Sequence, residues 1–350
     1  MKNKKSLFLF TIGLLLITLL GFAAVYEKKQ QPKEPISATA FKLNTVVTVN
    51  IYDSKDKKLL DEVMELCDHY EKLFSRTLSS SEIFRLNAQT LTQENGAFVL
   101  SPETAELVSK GLYYGELSKG AFDITIAPVS SLWDFTSEEK KVPAEEAIRS
   151  ALSLVNYEAV TIEGNKLTFS KEGMGLDLGA IAKGYIADKM KEFLVSKGVK
   201  SATINLGGNV LCIGKKPDNT PFRIGIQKPF ADRSETIAVL DIEDKSVVSS
   251  GIYERYFEKD GTFYHHILNP DTGYPYDNHL VSVTIISDQS VDGDGLSTSC
   301  FALGLEKGME LINSLPDVHA VFITDDYQLH YSEHFQEELK ITYMKSRPPA

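Results

Sequence analysis

The chain has 350 residues, 43% of them hydrophobic and 24% charged, and a formal net charge of −11. That is apolar material for a large core, which excludes a disordered or fibrous protein, while the acidic balance excludes a general nucleic-acid binder. Cys67, Cys212 and Cys300 are odd in number and far apart, so neither a disulfide framework nor a zinc cluster is expected. Each reads as a small buried apolar residue, with a pairing between two of them left open.

Residues 6–25, SLFLFTIGLLLITLLGFAAV, form an uncharged apolar run of membrane-spanning length behind Lys2, Lys4 and Lys5. Residues 1–26 are therefore expected to be an N-terminal membrane anchor or signal peptide. The small residues of GFAA leave cleavage open, and an uncleaved anchor is the favoured reading. Residues 27–36, polar and proline-bearing, read as a linker lifting the domain off the membrane. The remainder, 37–345, is expected to form one domain on the extracytoplasmic side of the cell membrane, secreted if the segment is cleaved.

NTVVTVNIYD (44–53) alternates β-branched and polar residues, which predicts a strand. Leu59, Leu60, Val63, Leu66, Tyr70, Leu73 and Phe74 recur at helical spacing. Ser101 before Pro102 caps a further helix that is expected to run to Gly120. Gly164 and Asn165 sit between two β-rich runs, a two-residue hairpin signal. Helices and strands alternate irregularly, so the expected class is α+β: a single globular domain of mixed sheets flanked by helices.

Five stretches are too rich in glycine, aspartate and small polar residues for routine connections. In GLDLGAIAKGYIAD (175–188), Gly179, Ala180 and Ala182 leave a helix start free of bulk. Such a start suits an anion such as pyrophosphate, with Lys183 adding a charge, or simply allows close packing. INLGGNV (204–210) is a strand ending in a glycine turn, either a tight turn or backbone amides open to a ligand. In YHHILNPDTGYPY (264–276) the adjacent histidines point to opposite faces if extended, so at most one faces a given pocket. DGDGLSTSC (292–300) reads as a loop opening into an apolar helix. If Asp294 stands at the helix start, Thr298 lies one turn on, so a carboxylate and a hydroxyl converge on one point. Hard oxygen ligands of this kind suit magnesium, whereas the plain alternative is that Asp294 caps the helix. GAFDITIAP (120–128) is the fifth stretch.

These stretches, in this order and together with SSSEIFRLN (79–87), resemble the ApbE family of FAD:protein FMN transferases from about residue 38 to 340. The resemblance implies magnesium-dependent cleavage of FAD at its pyrophosphate, transfer of FMN to a threonine or serine hydroxyl of an acceptor flavoprotein, and release of AMP. By motif position it implies Asp294, Thr298 and the Ala180 carbonyl as metal ligands, Lys183 as an FAD contact and His266 as the base or key catalytic residue. It also places Glu82, Asp123, Asn205 and Gly207 in motifs lining the FAD site. A base must be neutral, so a histidine near its reference pKa of ~6.5 would lose activity below about pH 6. The chain departs from the family in reading Leu43-Asn44-Thr45 where a Met-Gly-Thr often precedes the first strand, and in carrying an extra acid, Asp292, able to shift or share the ion. A metal-dependent FAD pyrophosphatase and a flavin-binding protein without turnover are the competing functions.

Overall fold

The structure, a computed structural model, describes residues 34–232 and 234–344. The expected anchor at 1–26, and the linker up to residue 33, lie outside the described residues. Among the described residues no helix is long and apolar enough to cross a membrane.

Eight strands form the central sheet: β1 (Ile36–Lys42), β2 (Thr45–Ile51), β3 (Ser201–Leu206), β4 (Asn209–Gly214), β5 (Ser246–Gly251), β6 (Leu280–Ser287), β7 (His319–Thr324) and β8 (Leu329–Tyr331). They lie side by side in chain order, every pair antiparallel. The fold is thus an antiparallel meander with helices inserted between its strands, which is the α+β class. The word "mixed" describes its elements and not its strand directions. The largest insertion, between β2 and β3, carries helices α1 (Lys58–Phe74), α2 (Pro102–Leu117) and α3 (Ala182–Ser196). Helix α4 (Ser290–Asn313) follows β6.

Both faces of the sheet are covered. Alternation assigns Leu211, Ile213, Ala320 and Phe322 to the helical side, while Cys212, Val321 and Ile323 meet a small three-stranded sheet on the other. In consequence β6 is buried at all eight positions. Helix α1 places Leu59, Leu60, Val63, Tyr70 and Phe74 of the predicted stripe in the core, together with Cys67, while Leu66 and Leu73 are half-buried against it. Ser101 accepts the Thr104 N–H as N-cap of α2. The Gly164–Asn165 turn joins two paired strands, Val160–Glu163 and Lys166–Phe169. All three cysteines are buried and free.

Two expectations need correcting. Leu43 and Asn44 do not precede the first strand: they are the two-residue turn between β1 and β2, both left-handed at φ 54° and 55°. A glycine is at home in that conformation, which gives the family's usual glycine a backbone reason. DGDG is also not a loop. Helix α4 starts at Ser290, and Gly293 and Gly295 lie within it, where an added Cβ would stand 2.8 Å from Val248 and 2.6 Å from the Tyr114 ring. These glycines let the helix settle onto β5 and α2. The helix is interrupted instead at Gly304, whose φ of 80° and ψ of 177° are not helical.

Candidate active site

The site grows from the crossing of α3 and α4. A Cβ on Gly184 would sit 2.3 Å from the Ser290 carbonyl oxygen, so only glycine permits this approach. The closeness brings the two helix starts within reach of each other's acids. Asp188 of α3 accepts the Ser290 and Val291 N–H groups, both at 2.8 Å. Asp294 of α4 accepts the Gly184 N–H through Oδ2 at 2.9 Å. Helix α4 thus has its own cap, and Asp294 caps α3 rather than the helix it belongs to.

This cap has a consequence for Ala180. In a regular helix the Gly184 N–H would be donated to the carbonyl four residues back, that of Ala180. Asp294 takes that donor, and among the described residues the Ala180 carbonyl accepts no backbone hydrogen bond. Asp294 is 3% exposed. Its other oxygen, Oδ1, accepts no hydrogen bond among the described residues and faces Lys183 Nζ at 3.7 Å. Thr298, one turn further along α4, has its hydroxyl 3.1 Å from Ser250 Oγ on β5, which also lies 2.8 Å from Ser297 Oγ. A freed carbonyl, an uncommitted carboxylate oxygen and a hydroxyl are a donor set suited to a hard divalent cation. Asp292 does not share that set: its Oδ1 accepts the Tyr114 hydroxyl at 2.6 Å.

The two histidines divide their roles. His265 Nε2 donates to the Tyr276 carbonyl at 2.8 Å and its Nδ1 accepts the Ile267 N–H at 3.3 Å, a pattern only the neutral ring satisfies. Burial pushes its pKa down to about 4. It is a fixture of the fold. His266 has a buried Nδ1 with no hydrogen-bond partner among the described residues. Burial first, then the positive charges of Arg255 and Lys183, with a further push from His265, bring its pKa down to about 3. The expected loss of activity below pH 6 is therefore corrected: this imidazole stays neutral well below that pH.

Asn205 and Gly207 end β3. The Asn205 side-chain oxygen accepts the Gly208 N–H at 2.9 Å, and Gly207 has φ 65° with its N–H donated to Val46. A Cβ on Gly207 would fall 2.1 Å from Thr45 Oγ1, so this turn nests under the β1–β2 turn. Arg255 Nη2 approaches the Asn44 carbonyl at 3.4 Å, tying that corner to the histidine segment.

Glu82 and Asp123 are otherwise engaged. The Glu82 carboxylate accepts Ser101 N at 2.5 Å and the Ser101 and Thr104 hydroxyls at 2.6 Å each, closing the start of α2. Asp123 accepts the Thr125 N–H and hydroxyl at 2.7 and 2.6 Å and the Tyr157 N–H at 2.9 Å. Both acids hold loops, and their oxygens are filled by protein donors. The NPDTG turn likewise serves the backbone: Asn269 accepts Asp271 N at 2.8 Å, and Trp133 Nε1 donates to the Gly273 carbonyl at 2.9 Å. Sequence reasoning missed Ser250, Arg255, Gly184 and Asp188. Gly184 and Asp188 both lie within the stretch 175–188, where neither was singled out.

The fold is thus an α+β domain whose central sheet is an antiparallel meander, with a set of hard oxygen donors at the crossing of α3 and α4. The ApbE family model matches residues 43–322, and the chain belongs to the ApbE family. It is 37% identical to an FAD:protein FMN transferase of Klebsiella pneumoniae over 82% of this chain and 89% of that one. It is 30% identical to one of Treponema pallidum over 97% of each. Among solved structures, the flavin transferase ApbE from Vibrio cholerae superposes with a TM-score of 0.78 at 28% identity, covering 87% of this chain and 99% of the other. An ApbE protein from Thermotoga maritima gives 0.78 at 30% identity with the same coverage.

Proposed function

We propose that this chain is an FAD:protein FMN transferase, in which magnesium is held by the Ala180 carbonyl, Asp294 and Thr298 and His266 acts as general base. The observation that carries the reading is the Asp294–Gly184 hydrogen bond, because one contact both frees the Ala180 carbonyl and leaves Asp294 Oδ1 uncommitted next to Lys183. The relatives named above as FMN transferases support it. When bound, magnesium would neutralise charge on the pyrophosphate and on the departing AMP.

The chain's own residues supply the rest. Neutral His266 takes the proton of the acceptor's threonine or serine hydroxyl as its oxygen bonds to the FMN phosphorus. The bridging P–O bond breaks, and AMP leaves with the bonding pair. Lys183 presents its ammonium beside Asp294, where the substrate phosphates would lie. Asn205 and Gly207 shape the floor through the turn under Thr45.

The apolar run at 6–25 is part of the same proposal. It would tether the catalytic domain outside the cytoplasmic membrane and restrict its search for exported flavoproteins to a surface layer. The test is to incubate the protein with FAD and magnesium, with and without an acceptor flavoprotein, and to weigh the acceptor. A gain equal to FMN supports transfer. Free FMN with an unmodified acceptor would replace the reading with pyrophosphate hydrolysis, and FAD retained without AMP would replace it with simple binding.

A further inference from the structure

Arg255 stands at the foot of the hairpin formed by Tyr256–Lys259 and Thr262–His265. The ladder pairs Tyr256 with His265 and extends one step further, where the His266 N–H is donated to the Arg255 carbonyl at 3.1 Å. Residues directly opposite in such a ladder share a face, so the Arg255 and His266 side chains leave the hairpin on the same side. Arg76, Arg149 and Arg223 each pair with a carboxylate, whereas among the described residues Arg255, like Arg85 on the short helix Glu82–Asn87, forms no ion pair. Among the described residues the only hydrogen bond of its guanidinium is the long one to the Asn44 carbonyl at 3.4 Å. An exposed guanidinium with nearly all its donors free, beside a neutral imidazole in a chain of net charge −11, is a local excess of positive charge.

We propose that Arg255 binds the non-bridging oxygens of the phosphoryl group being transferred, opposite the ledge formed by Asp294 and Thr298. This rests on the transferase reading above. The side is chosen by the chemistry. His266 must stand beside the incoming hydroxyl to take its proton, and in an in-line displacement the leaving AMP lies on the far side of the phosphorus. A residue facing the same way as His266 therefore meets the FMN phosphoryl and not AMP. A planar, permanently charged fork suits two equatorial oxygens of such a group. Lys183 and Arg255 would then hold the pyrophosphate from two sides, one at each phosphorus. The backbone bond from His266 to Arg255 survives any side-chain change, so the base stays in place when the guanidinium is removed.

Arg255→Ala and Arg255→Gln should lower kcat for FMN transfer by about 10²–10³-fold, the range for losing one preorganised charge-stabilising donor. Added guanidinium should restore a measurable part of the Arg255→Ala loss, which a merely structural role would not allow. FAD affinity without metal, followed by flavin fluorescence, should weaken at least about tenfold in Arg255→Gln, a loss on the order of one charged hydrogen bond. Wild-type transfer that persists within threefold in both variants, with FAD affinity unchanged, would overturn the proposal. So would a loss that guanidinium does not rescue. Should the wild type transfer no FMN at all, the transferase reading fails, and the metal-free FAD affinity still decides the role of Arg255.

Discussion

Asp188 and Asp294 close each other's helices. Asp188, on α3, receives the first N–H groups of α4, and Asp294, on α4, receives an N–H from the first turn of α3. The two contacts clamp the crossing at Gly184, so the position of the proposed metal ligands is set by packing between segments more than a hundred residues apart.

Asp294→Asn removes the charge but keeps an oxygen for the Gly184 N–H. Metal-stimulated AMP release from FAD should fall by at least about 100-fold, the upper range even for residues that only support a metal ligand, while the melting temperature stays within a few degrees. Asp294→Ala should lose the same activity and about 1 kcal/mol of stability more, as the cap goes too. AMP release that still responds to magnesium in Asp294→Asn would remove the metal assignment.

Gly184→Ala tests the crossing. Its methyl would meet backbone atoms, the Ser290 carbonyl oxygen at 2.3 Å and the Val291 Cα at 2.6 Å, and backbone cannot rotate aside. A destabilisation of about 1–3 kcal/mol in urea unfolding is expected, together with weaker magnesium stimulation as Asp294 is pushed from Ala180. Unaltered stability would mean that the helices slide freely.

Gly207→Ala should be costly for two separable reasons. The left-handed φ of 65° costs a non-glycine residue about 1–2 kcal/mol, and the new Cβ overlaps Thr45 Oγ1. Thr45→Gly in the same chain should recover the second part and leave the first. A double-mutant cycle with no coupling between the two positions would contradict the nested turns.

His265, His266 and Asp188 shape the pH behaviour, and Asp123, also raised by burial, adds to the Asp188 contribution. His265 and His266, lowered to about 4 and about 3, refuse protons that the unfolded chain accepts below its ordinary histidine pKa of ~6.5, so acid removes stability through that window. Each contributes a slope of about 1.4 kcal/mol per pH unit. Asp188 has the opposite sign: burial raises its carboxyl to about 6, so between pH 6 and its ordinary range the folded chain takes its proton first and offsets one histidine. Between pH 6 and 4.5, His266→Asn should lose less stability on acidification than the wild type does. The kcat/KM for FAD, which reports the free enzyme, should show no His266 limb between pH 7 and 5. A limb in that range that disappears in His266→Asn would show the imidazole to be far better solvated than its surroundings allow.

Local periodicity carried much of the architecture. The Leu59–Phe74 stripe, the Ser101 cap and the Gly164–Asn165 hairpin need only neighbours in sequence, and they were legible. The alternating histidines were legible for the same reason, since a strand sends consecutive side chains to opposite sides. The rest depended on contacts between distant segments. The hydrogen bonds of Glu82 and Asp123 to Ser101, Thr104, Thr125 and Tyr157 could not be read from the motifs that contain the two acids. Gly293 and Gly295 look like a loop until Val248 and Tyr114 are placed against them. Ser250 lies in a strand of ordinary composition, and only the sheet register brings it beside Thr298.

The β1–β2 hairpin also fixes a standoff. Whatever precedes Ile36 enters the fold at one end of β1, while the Leu43–Asn44 turn at the other end borders Gly207 and Arg255. Seven residues at about 3.3 Å each separate the two, roughly 2 nm. Under the tether proposed above, that height would favour an acceptor hydroxyl carried on a domain of comparable size over one recessed at the membrane surface.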